Sequence, residues 1–391
     1  MLKIIYANRI HFLDYVVFLF FCAIPFRDLR IISFISIQDI LLLLGLFMVI
    51  LKSKETQLDY GFLYFTAACC TLIAITTGYR TLNYTESLIN VSKVLFAYGL
   101  MHFFLVNYAK LSYHIYSVPI FGLGAGLSLV VLTNVGSFFS TGSLSRLVGF
   151  SGHANYFAFS GIILFTGGIY LSFNSVILKS LKLYFIFVGF LAVIMSVSST
   201  AIFVLYFVLR IKFFEKEKLF TRIPILFALT AIFYYSFENL AIFNFSRIRL
   251  REAFTTRYSY SIGGTGNTSI QDRLQTYVSS WDRILANPLF GYGLNQKGRL
   301  TNVGIETHNY LLLSWQTGGI IFLIFQIVLI IYVCKSIHSG LTIKFSLSMA
   351  ICCWFFLMTE PWIYERTVCS TIFLIIAVSK QKHVRNLRKN E

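Results

Sequence analysis

Charged residues and prolines are scarce in this sequence. Asp, Glu, Lys and Arg make up 13% of the 391 residues, and the chain contains 5 prolines. Hydrophobic residues account for 57%, and the mean hydropathy is +0.73. Because a soluble domain cannot bury that much apolar surface, the composition excludes an ordinary soluble protein and predicts an all-α integral membrane protein.

Acidic residues are fewer than basic ones, 16 against 33, and the formal net charge is +17. In a soluble protein this balance would suggest nucleic acid as a partner. In a membrane protein it follows from the enrichment of Lys and Arg in cytoplasmic connections. The inferred cytoplasmic tails and short loops hold 19 basic residues and the short loops opposite hold 5, so we expect no nucleic-acid partner.

Motifs for metal binding and hydrolysis are missing. The seven cysteines lie in or at the ends of apolar segments and form no disulfide framework or metal-ligand spacing. The predicted outer loops contain no Asp-x-Asp or Asp-Asp pair, and the chain contains no Gly-x-Ser-x-Gly elbow. We therefore expect no metal, no cofactor and no serine hydrolase chemistry.

Twelve apolar segments are near the length needed to cross a bilayer. They run approximately over 11–27, 31–51, 60–78, 87–107, 114–133, 152–173, 181–196, 200–214, 223–245, 307–334, 345–360 and 366–380. The N-terminal apolar run lacks a small-x-small cleavage site, so we expect it to be retained as the first span. The charge pattern places both termini inside and predicts one polytopic membrane domain, 1–391, with a large periplasmic loop over 246–306.

The large loop is expected to contain an amphipathic helix over residues 269–286. Ser269 with Asp272 resembles a capping box, and Asn287-Pro288 supplies a stop. Apolar residues at helical spacing form one stripe, which consists of Ile270, Leu274, Tyr277, Val278, Trp281, Ile284 and Leu285. We expect this helix to lie on the membrane or over a cavity.

The same loop has eight basic residues against four acidic ones. On the outer side this excess indicates an anionic ligand, because Arg binds phosphate oxygens in a two-pronged fashion. Arg273 borders the apolar stripe, about 60° from Ile270, whereas Arg283 projects to the opposite side. We expect only Arg273 to face whatever the helix covers. The alternative is that the loop rests on anionic lipid headgroups.

A histidine stands where the large loop enters the next apolar segment. In a helix, His308, Leu312, Trp315 and Gly319 would share one face within about a 60° arc. This arrangement puts a base at the membrane entrance, and Gly319 deeper down would let a neighbouring helix or a lipid tail approach. The alternative is that His308 only caps the helix and forms hydrogen bonds at the interface.

Two further charged residues are candidates by position. Lys93 lies about two turns inside the fourth segment, where a charge is costly unless it is paired or lines a polar cavity. It is therefore a candidate substrate contact, although snorkelling or pairing with Glu86 is an alternative. Glu360 stands between the last two segments and is a candidate for orienting His308 or an acceptor sugar, but a role in the turn explains it equally well.

The motifs of residues 269–319 carry a resemblance to a known family. Arg273 on a helix, Asn287-Pro288-Leu289, Gly291-Tyr292-Gly293, and His308-Asn309 followed by nine residues and Gly319 are similar to the pattern of bacterial O-antigen polymerases and O-antigen ligases. The resemblance implies metal-independent transfer of glycans from undecaprenyl diphosphate at the periplasmic face of the cell inner membrane. It also implies His308 as the catalytic base and Arg273 as a catalytic diphosphate contact.

The resemblance implies other substrate contacts as well. Family members have a basic residue in the helix that corresponds to that of Lys93, and an Arg with glycines in the position of Arg146. Many ligases also have an Arg where this chain has Thr200. That diphosphate contact is therefore missing here or supplied by another residue, such as Lys93 or Arg80.

The sequence leaves three functions open. A polymerase adds the growing glycan to another lipid-linked repeat unit, and Thr200 favours this function. A ligase shares the donor but transfers the glycan to lipid A core. A polysaccharide flippase or another transporter would show charge near the midplane and repeat symmetry, which this chain largely lacks. The partners expected of the polymerase are undecaprenyl-diphosphate-linked donor and acceptor, membrane lipids and a chain-length regulator protein.

Overall fold

The computed structural model describes residues 12–26, 30–32, 35–51, 66–68, 70–71, 74–75, 84–112, 114, 117–140, 154–170, 176–196, 198–213, 269–294, 296–302, 304, 306–338, 343–359 and 369–374. These residues are mostly helical, as the composition predicts. A short antiparallel pair, β1 (Arg30–Ile32) and β2 (Ile35–Ser36), joins the first two helices. Arg80, Arg146 and Glu360, all predicted substrate contacts, lie outside the described residues.

Helices follow one another along the chain, and they pack both against sequence neighbours and against helices that are distant in sequence. They are α1 (Phe12–Cys22), α2 (Ile37–Leu51), α3 (Tyr84–Val94), α4 (Met101–Leu111), α5 (Ser117–Ser140), α6 (Ala154–Tyr170), α7 (Val176–Ser196), α8 (Ser199–Phe213), α9 (Ser269–Ala286), α10 (Gln296–Arg299), α11 (Tyr310–His338) and α12 (Ile343–Thr359). A π-helical stretch, Leu95–Leu100, joins α3 to α4.

Four helical stretches in the described part of the chain are long and apolar enough to cross a membrane: Val91–Ala109, Ser117–Val135, Lys179–Ser196 and Tyr310–Tyr332. Shorter apolar helices accompany them. The helical membrane character of the chain is thus supported, whereas the count of twelve spans stays a prediction. The predicted span 223–245 lies outside the described residues, as does the loop from 246 to 268.

The boundary predicted near residue 197 is confirmed. Helix α7 ends at Ser196 and α8 begins at Ser199. Between them, Ser198 accepts hydrogen bonds from two amides of the first turn of α8, through Oγ from Ala201 at 3.3 Å and through its carbonyl oxygen from Ile202 at 3.1 Å. A serine cap of this kind ends one helix and starts the next, because its side chain satisfies an otherwise unpaired amide.

Two glycines let α1 and α5 approach closely. A Cβ atom added to Gly122 would lie 2.3 Å from the carbonyl oxygen of Phe18, and one added to Gly126 would lie 2.1 Å from that of Cys22. The spacing of four residues puts both glycines on one face of α5. The backbones of the two helices therefore meet directly, without side chains between them.

A buried carboxylate joins α1 to α4. Asp14 is 2% exposed, and its Oδ1 atom accepts hydrogen bonds from Tyr108 Oη at 2.8 Å and from Ser112 Oγ at 2.6 Å. A carboxylate is costly to bury unless it has such donors. The pair of hydroxyls thus stabilises Asp14 inside the helix bundle.

Candidate functional site

Helix α11 begins at Tyr310, after His308. The prediction that His308 belongs to a helical face is therefore wrong. Oδ1 of Asn309 accepts hydrogen bonds from the amides of Leu311 and Leu312, both at 3.0 Å. An asparagine in this position is an N-cap, and the helix starts at the next residue, Tyr310. His308 consequently lies in the loop just before the cap and does not belong to the predicted helical face.

The predicted helical face ended at Gly319, and α11 is broken at this residue. Gly319 therefore does not belong to that face either. Gly319 has φ 67° and ψ −167°, outside the helical region. A Cβ atom at this position would lie 2.0 Å from the carbonyl oxygen of Leu289. The predicted neighbour of Gly319 was another helix or a lipid tail, whereas the structure places the backbone of the turn after α9 there. Glycine is needed for both the positive φ and the close approach.

The turn after α9 is hydrogen-bonded into this break. The amide of Ile320 and the indole N–H of Trp315 both donate to the carbonyl oxygen of Pro288, at 2.9 and 3.0 Å. In the other direction, the amides of Tyr292 and Gly293 donate to the carbonyl oxygens of residues 316 and 317, at 2.8 and 2.7 Å. The turn thus satisfies helical groups that the break leaves without intrahelical partners.

Helix α9 has its predicted bounds, Ser269–Ala286, and it contacts the rest of the protein with its polar face. Four residues of the predicted apolar stripe are exposed, within about a 60° arc: Leu274, Val278, Trp281 and Leu285. The roughly opposite face buries polar side chains instead, namely Thr276, Ser279 and Ser280. In a soluble protein the stripe would be the covered face. Here the polar face covers the protein, and the apolar face points away from it.

Arg283 lies on the covered face, in contrast to the prediction. Its guanidinium donates a hydrogen bond to the carbonyl oxygen of Leu300 and lies 4.1 Å from the ring centroid of Tyr292. Burial lowers the pKa of Arg283, and the nearby Tyr292 opposes this shift. Arg283 therefore holds the loop that precedes His308 and is oriented toward the protein.

Gln316 is the centre of a buried polar network between α9, α11 and the loop. Its Oε1 atom accepts hydrogen bonds from Ser280 Oγ at 2.7 Å and from Thr307 Oγ1 at 3.3 Å. Its Nε2 atom donates to the carbonyl oxygens of residues 298, 299 and 300, at 2.8, 3.3 and 3.1 Å. The side chain is fully buried. It fixes the residue before His308 and the loop across from it.

The loop is closed by a second set of contacts. Arg299 forms a salt bridge with Glu306 at 2.7 Å, and an isolated antiparallel bridge pairs Leu300 with the same glutamate. Two of the eight basic residues of the predicted large loop, Arg283 and Arg299, thus bind other residues of the same loop. Fewer of the eight therefore remain for an anionic ligand than the sequence suggests.

His308 is half-buried, and its Nδ1 atom is buried. Its carbonyl oxygen accepts a hydrogen bond from the hydroxyl of Tyr277, at 3.0 Å. Tyr277 is one helical turn after Arg273 on α9, so the structure brings the position of Arg273 near the backbone of His308. The side chain of Arg273 lies outside the described part of the structure.

Lys93 is half-buried near the end of α3, directly before the π-helical stretch. Tyr98 of that stretch accepts a hydrogen bond at 3.4 Å from Gln326 of α11, whose Oε1 atom accepts one from Tyr310. The π-helical stretch that continues α3 therefore contacts α11, the helix that follows His308, five residues after Lys93. π-Helical turns occur often at functional sites.

Sequence reasoning missed the polar network. The predicted apolar segment over 307–334 includes three polar residues, Ser314, Gln316 and Thr317. In the structure these polar side chains are fully buried. Polar residues clustered in the first turns of a predicted span would have indicated a covered, hydrogen-bonded surface there. Among the described residues no group of three or more His, Cys, Asp or Glu side chains is placed to hold a metal ion.

No protein-family model matches the chain, and no curated protein matches it.

Proposed function

We propose that the protein is a twelve-span inner-membrane glycosyltransferase that polymerises lipid-linked oligosaccharide repeat units. Undecaprenyl diphosphate carries the donor, and residues 246–306 form a periplasmic loop over the site. The observation that supports this proposal is the contact between Tyr277 and the backbone of His308. It joins the helix of Arg273 to a histidine at the entrance of a membrane-compatible helix, and the resemblance assigns the two catalytic roles to these residues.

In the proposed reaction His308 accepts the proton of an acceptor sugar hydroxyl. The oxygen then forms a bond with the anomeric carbon of the donor glycan, on the side opposite the diphosphate. The bond from that carbon to the diphosphate oxygen breaks, its electron pair leaves with the diphosphate, and the configuration inverts. Neutral histidine suits the first step because its ordinary pKa is about 6.5.

Basic side chains stabilise the leaving group in this proposal. Arg273 contacts the diphosphate with two N–H groups, and Lys93, Arg146 and Arg80 supply further positive charge. Glu360 orients the acceptor sugar. A diphosphate held in this way leaves without the help of a metal ion, so the proposal needs neither metal nor cofactor.

Incubation of purified protein with undecaprenyl-diphosphate repeat units, without lipid A core, tests the proposal. We expect a ladder of glycan lengths, and we expect His308→Ala to abolish it. His114→Ala is the matched control, since His114 is exposed and far along the chain, at the opposite membrane side in the expected topology. Transfer only after addition of lipid A core would identify a ligase instead. No transfer with either acceptor would overturn the proposal in favour of a transporter.

A further inference from the structure

The first half of α11 is more polar than its second half. Ser314, Gln316 and Thr317 are fully buried between Tyr310 and the break at Gly319, whereas the second half is mostly apolar. Tyr310–Tyr332 is nevertheless apolar enough as a whole to enter a membrane. Polar side chains at that depth require a cover that supplies hydrogen bonds. Helix α9 is that cover, because Ser280 on its polar face bonds directly to Gln316.

Helix α9 runs beside this half of α11 in the same direction. Tyr277 is bonded to His308 at one end, the rings of Trp281 and Trp315 lie 5.7 Å apart in the middle, and Pro288 is bonded to Ile320 at the other end. From Tyr277 to the end of α9 at Ala286 is about 14 Å of helix, similar to the rise from Tyr310 to Gly319 in α11. The cover therefore extends from the histidine to the break.

The exposed face of α9 continues into the outer surface of α11. Leu285, Leu289 and Phe290 are 63%, 58% and 48% exposed. They lead to the break, where the half-buried Ile320 follows. The exposed apolar side chains of the second half of α11 begin one turn further on and include Ile324, Ile327, Val328 and Ile331. Exposed apolar side chains thus continue from α9 to the exposed side of α11, which is apolar enough to cross a membrane.

We propose that α9 is seated in the lipid leaflet at the start of α11, with Leu274, Val278, Trp281 and Leu285 in contact with lipid acyl chains. In this position α9 takes the lipid contact that the first half of α11 would otherwise make. Exposed Asp282 beside the stripe keeps α9 at the boundary between headgroups and acyl chains, since a carboxylate is costly in the bilayer centre. The proposal does not depend on the proposed glycosyl transfer.

A nitroxide label on Val278→Cys in phosphatidylcholine liposomes tests the seating. Collisions of the label with oxygen report acyl chains, and collisions with a water-soluble nickel chelate report water. The unsubstituted chain, treated in the same way, gives the background of its native cysteines. We expect oxygen to collide with the label at 278 several-fold more often than nickel does.

Asn302→Cys is the matched control, because residue 302 is exposed on the loop that α9 covers with its polar face. There we expect nickel to collide more often than oxygen. Equal access of nickel to positions 278 and 302 would show that the stripe faces water. Low access of both reagents to position 278 would show that protein covers the stripe. Either result would overturn the proposal.

Discussion

The amide of Ile320 donates a 2.9 Å hydrogen bond to the carbonyl oxygen of Pro288, a residue 32 positions earlier in the chain. In an unbroken helix the amide of Ile320 would donate to the carbonyl oxygen of Gln316, and Pro288 replaces that acceptor. The turn after α9 is thereby built into the helix at Gly319, so the histidine loop, α9 and the membrane-compatible helix form one unit.

Gly319→Ala should destabilise that unit. The new Cβ atom would meet the carbonyl oxygen of Leu289, and a positive φ alone costs an L residue about 1–2 kcal/mol. The midpoint of thermal unfolding in detergent measures the effect. Gly304→Ala is the matched control, because Gly304 also has a positive φ but open space around its Cβ position. Equal losses in the two variants would show that the contact with Leu289 contributes nothing.

Gln316→Leu should loosen the loop before His308. The change removes five hydrogen bonds, and each buried group left unsatisfied costs about 1–3 kcal/mol. Amide hydrogen exchange over residues 298–309 should accelerate by at least tenfold. Gln275→Leu, an exposed change on α9, should leave these rates unchanged. Unaltered exchange in the Gln316 variant would contradict the central role of this side chain.

The proposed base predicts a pH dependence. A histidine that must accept a proton works in its neutral form, so activity should fall as the solution is acidified and His308 takes up a proton. In the acidic range, where most of His308 is protonated, the rate of ladder formation should fall about tenfold per pH unit. The His114→Ala variant should keep the same profile. A rate that stays constant between about pH 5 and 8 would rule out His308 as the base.

Arg273→Ala should lower kcat/KM of the proposed transfer by about a hundredfold, because a charge that stabilises the leaving diphosphate is lost. Arg273→Lys should retain intermediate activity, since lysine keeps the charge but not the two-pronged contact. Initial rates at varied donor concentration measure both. Arg210→Ala on α8 is the control and should retain full activity. Lysine and alanine variants with equally low activity would argue against a phosphate contact through charge.

Local signals predicted the boundaries of several elements. Asn287-Pro288 ends α9 where the structure ends it, because proline cannot continue a helix. The gap between the apolar segments 181–196 and 200–214 predicted the boundary between α7 and α8. Such boundaries depend on a few neighbouring residues, so the sequence contains enough information to place them.

The orientation of α9 and the position of His308 depend on other parts of the chain. An apolar stripe shows that a helix has two faces, but lipid and protein interior are both apolar, so the stripe does not tell which one it meets. His308 was assigned to a helix because an apolar segment follows it. The competing signal was Asn309, whose side chain caps better than it continues a helix. The face that α9 turns toward the protein and the place of His308 both depend on three-dimensional partners, which periodicity alone does not reveal.

The contact of Asp14 with Tyr108 and Ser112 also constrains the order in which the helices pack during translation. These partners follow the carboxylate by 94 and 98 residues. At about 5–20 residues per second, the ribosome makes Tyr108 roughly 5–20 seconds after Asp14. During that interval α1 has no Tyr108 or Ser112 to donate to its carboxylate and no α5 backbone to pack on. The first helix must therefore remain where water or the insertion machinery can solvate Asp14, and it takes its final place only after the later helices have entered the membrane.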